Sequence, residues 1–178
     1  MTNASDVPRT AGVRQALLDQ LAYLIDETAV LREHVGRIPE SVLKGRPIES
    51  ELSFLEMYVS LYLFDQKVYS PAVARLAEGK DVSLDVPGER EMLDDAAPEH
   101  TEIEAVLDHI STARTGLATL FSGLDVHAWR TPVTINGAVT DVFGLAHHVI
   151  RHDVDLLRRA ATRLHESRLT SRREDIPK

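Results

Sequence analysis

The chain contains no cysteine, which excludes disulfides, thiolate metal ligands and a cysteine nucleophile. Its longest mostly apolar stretch, Met57 to Phe64, is far too short to span a bilayer, so no membrane partner is expected. The opening residues, MTNASDVPRTAG, lack a basic n-region and an apolar h-region, so no secretory leader is expected. There is no glycine-rich phosphate loop and no GxSxG nucleophile elbow, no internal repeat and no low-complexity segment. Positive charge is not in excess either: the net charge is −8, which repels a nucleic-acid backbone on average. The one basic cluster, Arg158, Arg159, Arg163, Arg168, Arg172 and Arg173, falls at the end of the last helical segment, where cations complement the helix dipole. These absences point to a cytoplasmic protein that binds neither DNA nor membrane.

The composition itself is globular, with 43% hydrophobic and 27% charged residues over 178 positions, which suits one domain with one core. Four segments carry helical periodicity and none carries convincing strand alternation. The first, from about Ala11 to Val35, repeats Val13, Leu17, Leu21, Leu24, Thr28, Leu31 and Val35 at three- and four-residue steps. The second, from about Ser50 to Leu76, is apolar nearly all round, as expected of a central helix. The third starts near Pro98 and stops at Ser122-Gly123. The fourth starts behind Thr140 as N-cap and runs to His165. The connectors Gly36 to Glu49, Glu78 to Ala97 and Leu124 to Val139 are long enough for crossovers. The predicted fold is therefore all-α, a four-helix bundle with long crossover connections over residues 11–165, flanked by tails at 1–10 and 166–178.

Several polar residues fall on apolar faces. His148 and His152 are four apart and share a helix face, the spacing two imidazoles need to bind one metal ion. A carboxylate such as Asp65 or Glu56 would complete such a site. Asp153 falls among Ala146, Val149, Ile150, Leu157 and Ala160, and Asp65 among Tyr58, Tyr62 and Tyr69. A buried carboxylate is costly unless paired, and Arg114, at the edge of the third helix's apolar face, is a candidate partner. Two readings stand: a structural polar cluster that fixes helix register, or the lining of a cavity between helices. Histidine ordinarily titrates near neutral pH, so His152 could serve as an acid–base group with Asp153. Asp153, about 100° away on the helix, is poorly placed to orient it. His109 and His127 read as surface or packing residues, and Trp129 as a cover over one end of the bundle.

Two stretches carry a family resemblance. The first is RPIESELSFLEMYVSLYLFDQKVYSPAVARL, in which Ser53, Glu56 and Asp65 fit a frame of Ser, Glu, His and an acidic residue. The second is GAVTDVFGLAHHVIRHDVDLLRRAATRL, in which His152 and Asp153 fit His-Asp-x-x-His. In order and distance these resemble the DinB/YfiT-like superfamily, bundles that often hold a metal on three histidines. The resemblance implies an up-down-down-up bundle and a homodimer. Here the family's first histidine slot holds Ser60, the third holds Leu156, and its common Gln is Arg159. No histidine lies between His34 and His100, so the second helix supplies no imidazole in any register. Of the three family ligands only His152 is in place, which makes the three-histidine site degenerate.

Three functional readings follow. The first is a DinB-like protein without the full metal site and with no cofactor, binding a small molecule, with Ser60, Asp65, Arg114, His152, Asp153 and Leu156 around its pocket. The second is a metal-dependent enzyme, of thiol-transferase or hydrolase type by family analogy, holding zinc or nickel on His148 and His152. The third is a non-catalytic dimeric interaction module.

Overall fold

Four long helical segments carry the architecture in the computed structural model, which describes residues 6–166 apart from 47, 95, 97, 99 and 100. Helix α1 spans Asp6–Val35. A short helix α2, Glu40–Lys44, leads to α3, Phe54–Phe64, which passes through a widened turn, Asp65–Tyr69, into α4, Ser70–Ala77. After the short α5, Glu89–Leu93, come α6, Ile103–Gly123, and α7, Val142–Glu166. The helix expected from Ala11 thus begins earlier, at Asp6. Residues 1–5 and 167–178 of the two expected tails lie outside the described residues.

Helix α1 packs on α6 and α7, and α3 packs on the same two. The consecutive bundle helices α1 and α3 therefore occupy opposite corners, and so do α6 and α7. Sequence neighbours that are not spatial neighbours require long links, which is the physical reason for the crossovers. The four-helix bundle and its crossovers are as the sequence predicts.

Three expectations need correction. First, the sequence shows no strand alternation, yet a small sheet forms. Its strands are β1 Val82–Leu84, β2 Pro132–Ile135 and β3 Ala138–Asp141, in the order β1-β2-β3. Strand β1 runs parallel to β2, and β2 pairs antiparallel with β3. Strands of three and four residues are too short to show a period. The signal that could have found them is Asn136-Gly137, where φ is 50° and 78°, the left-handed pair of a tight hairpin turn. Asn136 also ties the sheet to the connector: its amide donates to Leu84 O at 2.8 Å and its side-chain oxygen accepts from Val86 N at 2.8 Å.

Second, α6 begins at Ile103 rather than near Pro98. Third, Thr140 lies in β3, and the side chain that accepts an amide at the start of α7 is Asp141, from Gly144 N at 2.9 Å. The second predicted helix is continuous in direction but not in hydrogen bonding. Pro71 sits in the first turn of α4; it has no N–H, and in a regular helix its ring would meet the carbonyl of residue 67. The turn widens so that Ser70 N reaches Asp65 O, a five-residue step that opens room for the proline.

The start of α3 is fixed by a reciprocal cap. Ser53 Oγ accepts from Glu56 N at 3.2 Å while the Glu56 carboxylate accepts from Ser53 N at 2.7 Å. Glu56 is also clamped by Arg46. Burial pushes the Glu56 carboxyl up, but Arg46 and the Ser53 amide outweigh it and hold it below the usual range. Ser53→Ala should cost about 1 kcal/mol, seen as a fall in Tm of about 2–4 °C; an unchanged Tm would show that the cap contributes nothing.

Candidate functional site

The widened turn between α3 and α4 delivers Asp65 and Tyr69 to the inner side of the bundle, where both are fully buried. Facing them are Arg114 from α6 and His152 and Asp153 from α7, with Leu156 buried one turn further along α7. Arg114 is 0% exposed and lies between two carboxylates, both of which it binds through two nitrogens. Its Nε and Nη2 reach Asp65 at 2.7 and 3.0 Å. Its Nη1 and Nη2 reach Asp153 at 2.5 and 2.9 Å. One fork thus links α6 to the turn after α3 and to α7. Of the two readings of these residues, the contacts draw Asp65, Arg114 and Asp153 together as a paired polar cluster.

One guanidinium faces two carboxylates, so the cluster carries one negative charge in excess when all are ionised. Burial, and for Asp65 the nearby Asp153, push the carboxyls up against the pull of Arg114, Asp65 to about 7. Burial opposes the Arg114 charge, but the two carboxylates outweigh it and hold its pKa above the ordinary value.

His152 stands beside this cluster without joining it. Its ring is 4.4 Å from Phe64 and 6.2 Å from Tyr69, centre to centre. Both ring nitrogens are buried with no hydrogen-bond partner, as are Ser60 Oγ and Tyr69 Oη. Burial, then the nearby His148, Arg114 and Arg159, lower the His152 pKa to about 4, so the imidazole is neutral at ordinary pH. His148, one turn earlier, is half-buried, packs 6.0 Å from Tyr69 and is shifted down by burial and by Arg151. The two histidines therefore flank one tyrosine ring. His109 is exposed against Tyr62, and Trp129 is fully buried between Phe121 and Phe143.

The residues present do not fit the three-histidine metal that the family resemblance implies. Ser60 is a buried hydroxyl, Leu156 a buried alkyl chain, and only His152 offers an imidazole. The carboxylates expected to complete a set with His148 and His152 are engaged elsewhere, Asp65 by Arg114 and Glu56 by Arg46 and the Ser53 amide. Among the described residues no three His, Asp or Glu side chains converge as a metal-holding group. Asp153, bound to Arg114, makes no hydrogen bond to His152. Ser60, unpartnered, is the polar group whose environment the sequence left least defined. The cleft residues Arg90, Arg159 and Arg163, described below, were not among the predicted pocket residues; the signal was the four-residue spacing of Arg159 and Arg163 beyond Leu156.

Removing one member of a buried ion cluster strands the others. Arg114→Met should destabilise the protein by about 3–5 kcal/mol, and Asp65→Leu and Asp153→Leu added to it should recover most of that in urea unfolding. A single variant as stable as the parent would refute the clamp. The pH dependence has opposite signs at the two neighbours. Asp65, raised in the fold, contributes stability that is full below its unfolded value and lost as pH rises through about 7. His152, lowered in the fold, contributes stability present above about 6.5 and lost as pH falls through about 4. Relative to the parent, Asp65→Asn should therefore improve as pH rises from about 4 to 7. His152→Gln should improve as pH falls from about 6.5 to 4. Parallel trends in Tm would refute the assignment.

Neither protein-family models nor curated proteins match the chain. Solved structures do. YfiT from Bacillus subtilis, described as "a probable metal-dependent hydrolase with an unusual four-helix bundle topology", superposes with a TM-score of 0.52 at 12% identity. The match covers 90% of this chain and 91% of that one. This chain shares the four-helix-bundle fold of YfiT.

Proposed function

We propose that this protein is a DinB-like bundle that works without the family's three-histidine metal and binds a small molecule. The observation that carries this reading is the Arg114 fork. The Asp65 and Asp153 carboxylates are both held by one guanidinium with four hydrogen bonds. Tying both to a fixed organic cation engages anionic donors that a metal ion in the bundle centre would need. Serine and leucine in the other two family slots add one weak donor and none. The hydrolase description of YfiT supplies the alternative by analogy, and the histidine pair favours it: His152 has both nitrogens unpartnered and His148 lies one turn away. A metal there would have to be completed by water or by a substrate.

Metal analysis and thermal unfolding separate the two. Protein purified without a metal-affinity column should contain far less than one zinc, nickel or manganese per chain. Its Tm should not move on adding zinc or a chelator, because a ligand that does not bind the native state cannot stabilise it. A zinc-dependent rise in Tm that His152→Ala abolishes would replace this reading with the metal-dependent one.

A further inference from the structure

Ser60 and Leu156 do not end the stripe they belong to. On α7, His152, Leu156, Arg159 and Arg163 follow one another at steps of four, three and four, which is a single helix face. On α3, Met57 lies one turn before Ser60. Met57, Arg159 and Arg163, together with Arg90 of α5, line a cleft of ≈ 660 Å³, a volume typical of small-molecule sites. Its apolar side is Leu52 and Met57, both buried.

The cationic wall is held in place by Glu49 and by two glutamates that also line the cleft, Glu51 and Glu89. Arg90 donates to the carbonyls of Glu49 and Glu51, Arg159 pairs with Glu89, and Arg163 Nη2 reaches Glu51 at 3.0 Å. Arg163 differs from the other two in being mostly buried, its side chain 12% exposed. Its Nη1 is buried with no hydrogen-bond partner. A desolvated guanidinium nitrogen without an acceptor is costly, and a second oxygen beside it would complete the fork geometry that arginine offers a carboxylate or phosphate. Glu51, 48% exposed, supplies one oxygen now and can swing away to solvent.

We propose that this cleft binds a small organic oxyanion, its head on Arg163 and Arg159 and its apolar body over Leu52 and Met57, with Glu51 as the internal competitor. The proposal rests on the metal-free reading above and gives it a location and a ligand class.

Calorimetric titration with octanoate, octyl phosphate and octanol tests it, octanoate and octyl phosphate separating a carboxylate head from a phosphate one. At least one of the two anions should bind saturably and octanol should not. Arg163→Gln should weaken that anion about tenfold or more. Glu51→Gln, a change at a half-exposed residue that leaves the fold intact, should tighten it several-fold, which a merely structural role for Arg163 would not predict. Binding by neither anion, equal binding of octanol, or a Glu51→Gln variant with unchanged affinity would overturn the proposal. Metal content is measured on the same samples. A stoichiometric metal overturns the metal-free reading and with it this proposal, whereas a metal-free protein that binds neither anion overturns the cleft assignment alone.

Discussion

Arg114 sets the terms for the centre of this bundle. A guanidinium with no access to solvent survives only where its hydrogen bonds and its charge are both answered, and here two carboxylates answer them from two different elements. Because the fork is planar and rigid, it fixes the rotation of α6 against α7 and against the turn after α3 more tightly than alkyl packing around Leu107, Ile110 and Leu117 could. The widened turn belongs to the same constraint. Pro71 forbids a regular helix at that point, and the resulting five-residue step is where Asp65 and Tyr69 enter the interior.

With the carboxylates committed, the His152 imidazole and the hydroxyls of Ser60 and Tyr69 are left buried and unpartnered. The two hydroxyls are weak donors for a cation, and a single imidazole does not hold a metal ion on its own. The tyrosine is moreover held in its protonated form, burial and the neighbouring Asp153 and Asp65 carboxylates raising its pKa above the ordinary value. The local chemistry is therefore that of uncharged polar side chains beside an ion cluster with one carboxylate more than its cation.

Much of this was legible in the sequence, and unevenly so. The helical stripes of Leu17, Leu21 and Leu24, or of Val106, Ile110 and Leu117, announce a bundle because burial imposes their period. Asp65, Asp153 and Arg114 were legible as a group because charged residues on apolar faces demand partners. Ser53 and Glu56, which looked like part of a chemical motif, are a helix cap; spacing alone cannot separate the two, since a capping box and a family frame share Ser-x-x-Glu. The short strands were hidden by their length, and the widened turn by treating Pro71 as compatible with an uninterrupted helix. The arginine cleft was missed because Arg159 and Arg163 were read as one basic cluster with their neighbours, whereas burial singles out Arg163 and leaves Arg158 in solvent.

The same helix thus does two electrostatic jobs at different depths. Around Asp153, α7 presents a carboxylate to a buried cation, and two to three turns later it presents Arg159 and Arg163 to the cleft. The chain carries a net charge of −8, so an unscreened anion approaching most of its surface meets repulsion. At the cleft the sign is locally reversed: Arg90, Arg158, Arg159 and Arg163 face Glu51, Glu89 and Glu166. Two of those glutamates are held in ion pairs with Arg159 and Arg163. An anion is therefore discriminated by place, drawn to one end of the α3–α7 stripe and excluded from the buried carboxylate cluster that already occupies Arg114. That separation keeps the ligand-facing arginines from competing with Arg114 for Asp65 and Asp153, so the cleft can change its occupant without loosening the interaction that holds the helices together.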